Sequence, residues 1–280
     1  MIEPAASSAS SADEIRVFAQ RIVASEVLAD KLTPPAGELS DDKTGPARRI
    51  DWPGRPTDLQ IQPGRSFRVP KITGLADPAQ RPRILHSLAN HELQAAELFA
   101  WALVAFPDAP ADFRRGLLHI LLDEQRHTRM YIARLEAAGA AFGDYPVSGY
   151  FWSKIDSLRS PLDFICAMSL TFENANLDHT IDTAEVARRA GDAKTAAVIE
   201  RVHRDEVEHV RFGWRWLQVF KRGDASAWDT YREHLTWPLR PAKARGRVFH
   251  RQGREAAGLD DDFIRRLEAS RDAAPSGSRQ

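Results

Sequence analysis

Glutamate and histidine recur three residues apart at three places in this chain: Glu124 with His127, Glu200 with His203, and Glu206 with His209. On a helix that spacing leaves the two side chains about 60° apart, so a carboxylate oxygen and an imidazole nitrogen can reach one metal ion. Surface helices carry such pairs by chance, and one pair alone means little. A repeat means more. The steps 124 to 206 and 127 to 209 are both 82 residues, and the steps 92 to 173 and 97 to 178 are both 81. Glu92 therefore answers Glu173, Glu97 answers Asp178, Asp123 answers Asp205, Glu124 answers Glu206, and His127 answers His209. Glu200 and His203 have Leu118 and Leu121 in the corresponding places, so that register lacks the symmetry of a two-metal site.

The duplicated acids also lie in apolar stripes. Leu85, Leu88, Phe99 and Leu103 share the face of Glu92; Leu117, Ile120, Leu121, Tyr131 and Leu135 share that of Glu124 and His127. Glu173 is flanked by Cys166, Ser169, Leu170, Leu177 and Thr180, and Glu206 by Ile199, Val202, Val210, Gly213 and Leu217. Burying four carboxylates without compensation costs several kcal/mol each, so something cationic must sit among them. The expected ligand set is Glu92, Glu124, His127, Glu173, Glu206 and His209. Hard oxygen donors with two imidazoles and no thiolate favour two iron ions, with manganese or a mixed iron–manganese pair as alternatives, over structural zinc. Glu97 and Asp178 are turned about 140° from that face, which predicts inter-helix salt bridges for them. His203 could be a third imidazole, a proton relay or a satisfied core histidine. Tyr131 could hydrogen-bond a ligand, serve in redox chemistry or simply pack.

Such side chains need long helices to bring them together. Periodicity predicts four, at roughly 83–106, 112–138, 161–190 and 192–220. Short breaks at Pro107-Asp108-Ala109-Pro110 and Gly191-Asp192 make two antiparallel hairpins, and the link from Gly139 to Ser160 is long enough to run the length of a bundle. The predicted fold is all-α: a ferritin-like four-helix bundle over residues 83–220, two hairpins joined by a long crossover. Residues 1–82 would form an N-terminal helix, about Asp13 to Leu32, and an extended wrapping segment. Residues 221–280 would be a peripheral C-terminal extension with a short helix near Asp261 to Ala269. The first dozen residues read as disordered.

Thirty-nine basic residues balance thirty-nine acidic ones, so no global field points to nucleic acid or an acidic membrane. Cys166 is the single cysteine, which excludes an internal disulfide framework and an iron–sulfur site and suits a reducing cytoplasm. No apolar run reaches the ~18 residues of a membrane span, and the N-terminus has no signal-peptide pattern. The strip Arg240, Lys243, Arg245, Arg247, Arg251 and Arg254 could hold phosphate or RNA, or be an ion-paired face. No glycine-rich phosphate loop, dinucleotide fingerprint or Ser-His-Asp order names a substrate.

The run Asp123-Glu124-Gln125-Arg126-His127 resembles the Asp-Glu-x-Arg-His motif of bacterial multicomponent di-iron monooxygenases, and Asp205-Glu206-Val207-Glu208-His209 departs from it by carrying Glu208 where Arg would stand. The resemblance implies that Asp123 orients His209 and Asp205 orients His127. More of the chain, through His91-Glu92-Leu93-Gln94, Phe106-Pro107-Asp108-Ala109-Pro110, Asn174 to His179 and Pro238-Leu239-Arg240-Pro241, is similar to the ferritin-like family catalogued as domain of unknown function 455. The expectation is an oxidoreductase that uses O₂ or peroxide on an unidentified organic substrate. An iron-handling ferroxidase or store is the alternative, and a metal-stabilised scaffold without enzymatic activity is the third reading. RNA remains a legitimate substrate class because one ferritin-like family hydroxylates a modified tRNA base. A homodimer is compatible with all of these.

Overall fold

The computed structural model describes residues 14–62 and 67–271, so the expected disorder of the first dozen residues lies outside the described part. Among the described residues every regular element is helical, and the only β-pairing is an isolated bridge between Glu14 and Ser40. Helix α3 (Arg81–Ala105) carries Pro82 in its first turn, where the missing N–H is no loss, and stops before Pro107. After that short break α4 (Ala111–Ala137) returns alongside it. The second rod is α5 (Pro161–Ala167), a π-helical turn at Met168–Glu173, and α6 (Asn174–Arg189). Gly191, at φ 76°, makes the turn, and the Asp192 carboxylate accepts from Thr195 N to start α7 (Ala193–Phe220). The two hairpins pack through α4 against α7. The long helices thus stand within two residues of their expected bounds, and the π-turn is an addition to them.

The core is two apolar clusters stacked along the hairpins. One holds Phe99, Leu103, Phe113, Leu117, Phe164, Leu170, Val210 and Leu217; the other holds Leu85, Leu93, Tyr131, Leu135, Ala187, Ile199 and Val202. Each such large side chain contributes about 1.5–3 kcal/mol on burial. The clusters change over between Leu93 and Ala95 on α3, between Leu121 and Tyr131 on α4, and between Val202 and Val210 on α7. The candidate ligands sit at that changeover, sealed by hydrocarbon above and below.

The terminal segments correct two expectations and supply the partners of two buried acids. The N-terminal helix is two, α1 (Ile15–Ala24) and α2 (Leu28–Leu32), because Ser25 Oγ accepts from Val27 N and bonds Asp30, an alternative to continuing the helix. Glu97 makes the expected inter-helix salt bridge, with partners that come from outside the two hairpins. It takes Lys31 Nζ at 3.1 Å from α2, Arg55 Nη2 at 2.7 Å from the extended segment, and Trp152 Nε1 at 2.9 Å from the crossover. Asp178 is held by Arg254 Nη1 at 2.7 Å, on α9 (Arg251–Ala256), and by the backbone N–H groups of Gly246 and His250. The C-terminal extension is therefore part of the buried structure, with Arg254 fully enclosed. Helices α8 (Ala227–Glu233) and α10 (Asp261–Ala269) complete it. No described helix is long and apolar enough to cross a membrane.

Candidate metal centre

Four helical rods bring the six sequence-predicted side chains to one place. Glu92 comes from α3, Glu124 and His127 from α4, Glu173 from the end of the π-turn, and Glu206 and His209 from α7, and all are buried. Two overlapping sets, Glu92–Glu124–His127 and Glu124–Glu173–His209, each place their ligand atoms within 4.8 Å of one another and could hold a metal ion. Glu124 belongs to both. Its Oε2 faces His127 Nδ1 at 3.6 Å and its Oε1 faces His209 Nδ1 at 3.3 Å. Glu92 Oε2 is 3.5 Å from His127 Nδ1; Glu173 Oε1 and Glu206 Oε2 are 3.6 and 3.7 Å from His209 Nδ1.

These separations are long for hydrogen bonds. They suit donors sharing an ion: two atoms each about 2.1 Å from a metal lie about 3.0 Å apart at a right angle and about 3.4 Å apart at a tetrahedral angle. Consistently, His127 Nδ1, His209 Nδ1, Glu124 Oε2, Glu206 Oε2 and both oxygens of Glu173 are buried without a hydrogen-bond partner. Native interiors leave few such atoms, so six in one cluster mark a place that could take up metal. With neutral imidazoles the four carboxylates carry a formal charge of −4, which two divalent ions cancel. The donor set therefore suits divalent metal, which either of the two groups could hold.

Protons move the same way in the absence of metal. Burial, then the neighbouring Glu124 charge, pushes Glu92 well above the usual carboxylate range; burial does the same to Glu173, and to Glu206 more weakly. Burial also opposes Glu124, but His127 and His209 outweigh it and draw its carboxyl down. Both imidazoles are pushed up against their own burial, chiefly by Asp205 for His127 and Asp123 for His209. The cluster gathers positive charge from whatever source is present.

The outer contacts cross between the hairpins. His127 Nε2 donates to Asp205 Oδ2 at 3.0 Å and His209 Nε2 to Asp123 Oδ2 at 3.3 Å, which leaves each Nδ1 lone pair aimed inward. Arg126 Nη2 lies 2.6 Å from Asp123 Oδ1 and 2.9 Å from Asp205 Oδ2, so one guanidinium serves both aspartates. That accounts for Glu208 in the second half-motif: no second arginine is needed there, and Glu208 pairs with Arg211 at the surface. Glu200, of the rejected register, likewise pairs with Arg188 at the surface.

Other candidates sit farther out. His203 Nδ1 bonds Thr180 Oγ1 at 2.8 Å and forms no ion pair with the four glutamates. Tyr131 is buried beside the cluster, and burial followed by Glu92, Glu206 and Glu124 keeps its phenol well above its ordinary pKa. Of the basic strip, Arg254 is committed to Asp178 and Arg251 to Asp261 and Glu268. Sequence reasoning missed Asn176, whose Nδ2 donates to Glu206 Oε1 at 2.8 Å. Its signal was its place one turn beyond Glu173, where the first half has Ala95 at the matching offset. Asn176 breaks the symmetry by occupying the Glu206 oxygen that corresponds to Glu124 Oε1, the one facing the imidazole of the other hairpin.

Searches of curated proteins and of solved structures find no match. The model of the family described as "Protein of unknown function (DUF455)" matches residues 8–265, nearly the whole chain, and the protein belongs to that family.

Proposed function

We propose that this chain is a ferritin-like four-helix bundle holding two iron ions, and that it is an oxidoreductase using O₂ or peroxide to oxidise or hydroxylate an organic substrate. The observation that carries the reading is the set of six buried carboxylates and imidazoles, from both hairpins, five of which leave a buried atom without a hydrogen-bond partner. Iron bound there would supply the one-electron redox steps with O₂ or peroxide that side chains lack, and manganese or a mixed pair would meet the same donors. The protein's own part is positional. Glu124 ties the two subsites together, Asp123 and Asp205 fix the imidazole tautomers, and Asn176 holds Glu206 in place. The two apolar clusters keep bulk water from the charged groups, which strengthens every interaction among them. Tyr131 stays protonated beside Glu92 and can donate a hydrogen bond toward the cluster.

The test is O₂ consumption by protein loaded anaerobically with Fe(II). Wild type should consume O₂ and Glu124→Ala should not. Iron bound without any O₂ or peroxide consumption would contradict the oxidative reading, and accumulation of iron far beyond two per chain would replace it with storage.

A further inference from the structure

The reactive side of the centre is defined by what closes the other side. Between α4 and α7 the imidazole Nε2 atoms are engaged by Asp205 and Asp123, with Arg126 laid across both carboxylates. Toward α3 and α6, by contrast, Glu92, Glu124, Glu173 and Glu206 border a chamber of about 20 Å³ that His91, Phe151 and Phe172 also line. A second chamber of about 50 Å³ shares His91, Glu92 and Phe151 and reaches His179, which is exposed. A cavity needs roughly 10–15 Å³ to hold one water, so the inner chamber admits a molecule of about that size and the outer one a few. O₂, peroxide or water fits. An organic molecule does not, unless something moves. A cavity of about 740 Å³ beside Phe106, Pro161 and Phe220 lies at the turn of the first hairpin and borders none of the six candidate ligands.

The covering group is aromatic. Phe151, from the crossover, stacks on Phe172 with ring centroids 4.5 Å apart and an interplanar angle of 27°, and it meets the His91 ring at 5.5 Å. Tyr150, 41% exposed, packs edge-on against Phe172 at 5.9 Å. The crossover backbone is pinned to α3, since Phe151 N donates to Gln94 Oε1 at 3.2 Å and Asn90 Nδ2 donates to Ser148 O at 2.9 Å. Because the chain that carries Phe151 is held, opening on that side would fall to rotation of the ring. One ring out from Phe172, Lys154 Nζ lies 4.7 Å over the Tyr150 ring and has no carboxylate partner among the described residues. Arg240 is near enough to pull the Tyr150 phenol downward against burial. A half-buried ammonium with only a ring for company is a place an anion would occupy.

Resting on the metal-centre reading above, we propose that the Phe151–Phe172 pair is the gate by which substrate enters between α3 and α6, and that the substrate is a slender, planar, apolar molecule carrying an anionic group that Lys154 receives. A flat apolar body can replace one ring of the stack with its own face as it passes, so the stacking energy given up when the rings part is restored by the entrant.

Cobalt(II)-loaded protein tests this without relying on turnover. Release of cobalt to EDTA should be about ten-fold faster in Phe151→Ala and in Phe172→Ala than in wild type. Phe212→Ala, which breaks the Phe113–Phe212 stack and lines neither chamber, should leave release within about two-fold and so controls for general loosening. The visible spectrum of the cobalt protein should respond to 2-naphthoate at about ten-fold lower concentration than to 2-naphthol, and Lys154→Gln should erase that preference. Unchanged release in both gate variants, or equal acceleration in Phe212→Ala, overturns the gate. Equal response to the two probes in wild type overturns the anionic substrate. A wild type that takes up no cobalt overturns the metal reading and this inference together, a result distinct from either.

Discussion

Glu124 offers one oxygen to each imidazole, whereas Glu92 and Glu173 each face one and Glu206 spends an oxygen on Asn176. Loss of Glu124 should therefore abolish both metals, while Glu92→Ala or Glu173→Ala should weaken one site more than the other; metal titration with elemental analysis reads the difference. Asp205→Asn and Asp123→Asn keep size and shape but no longer fix the imidazole tautomer, and each should cost about 10–100-fold in metal affinity with the fold intact. Protons and metal compete for the same atoms, which fixes a sign. In the metal-free chain His127 and His209 have folded pKa values raised above ~6.5, so the stability they contribute is full below that pH and is lost as pH rises through the folded values. Glu92, Glu173 and Glu206, raised above ~4.5, act in the same direction. The Tm of metal-free protein should fall from pH 6 to pH 9, and metal should remove most of that slope because it replaces the protons. A metal-free Tm that rises over this range would contradict the assignment.

Helices α3, α4 and α7 were legible because their apolar period is unbroken and their ends carry Pro, Gly and a capping Asp. The same period carried the candidate ligands, since a buried acid in an apolar stripe stands out. The π-turn at Met168–Glu173 was not legible: a wider hydrogen-bonded ring has no residue signature, and Thr171 Oγ1, bonded to Cys166 O, looks like any helix threonine. The turn needs close approach from α7, where a Cβ on Gly213 would lie 2.3 Å from Ser169 Cβ. Gly213→Ala should push the π-turn away, destabilise by about 1–3 kcal/mol, and weaken metal at the Glu173 subsite more than at the Glu92 subsite. Denaturant melts and metal titration check the two parts separately. Glu97 and Asp178 make the inter-helix salt bridges expected of them, but the partners sit far off in sequence, at Lys31, Arg55 and Arg254, where no local pattern reveals them. Glu97→Ala leaves Lys31 and Arg55 buried without their counter-ion and should cost about 3–5 kcal/mol by urea denaturation.

At the scale of the molecule, both terminal segments clamp the hairpins through one buried acid each, Glu97 from the N-terminal side and Asp178 from the C-terminal side. That arrangement is hidden in the sequence by its balance of charge: pairs that hold the interior together contribute nothing to net charge, and the strip that includes Arg254 reads as a surface. It also places the crossover, with Trp152 on Glu97 and Phe151 over the centre, under control of the same clamp. We propose that the changeover between the two apolar clusters holds a pair of metals. Anaerobic loading with ⁵⁷Fe(II), followed by elemental analysis and Mössbauer spectroscopy after O₂ exposure, tests it most directly. Two iron ions per chain behaving as one magnetically coupled pair, absent in Glu124→Ala, are the expected result; well under one iron per chain, or two uncoupled ions, would contradict it.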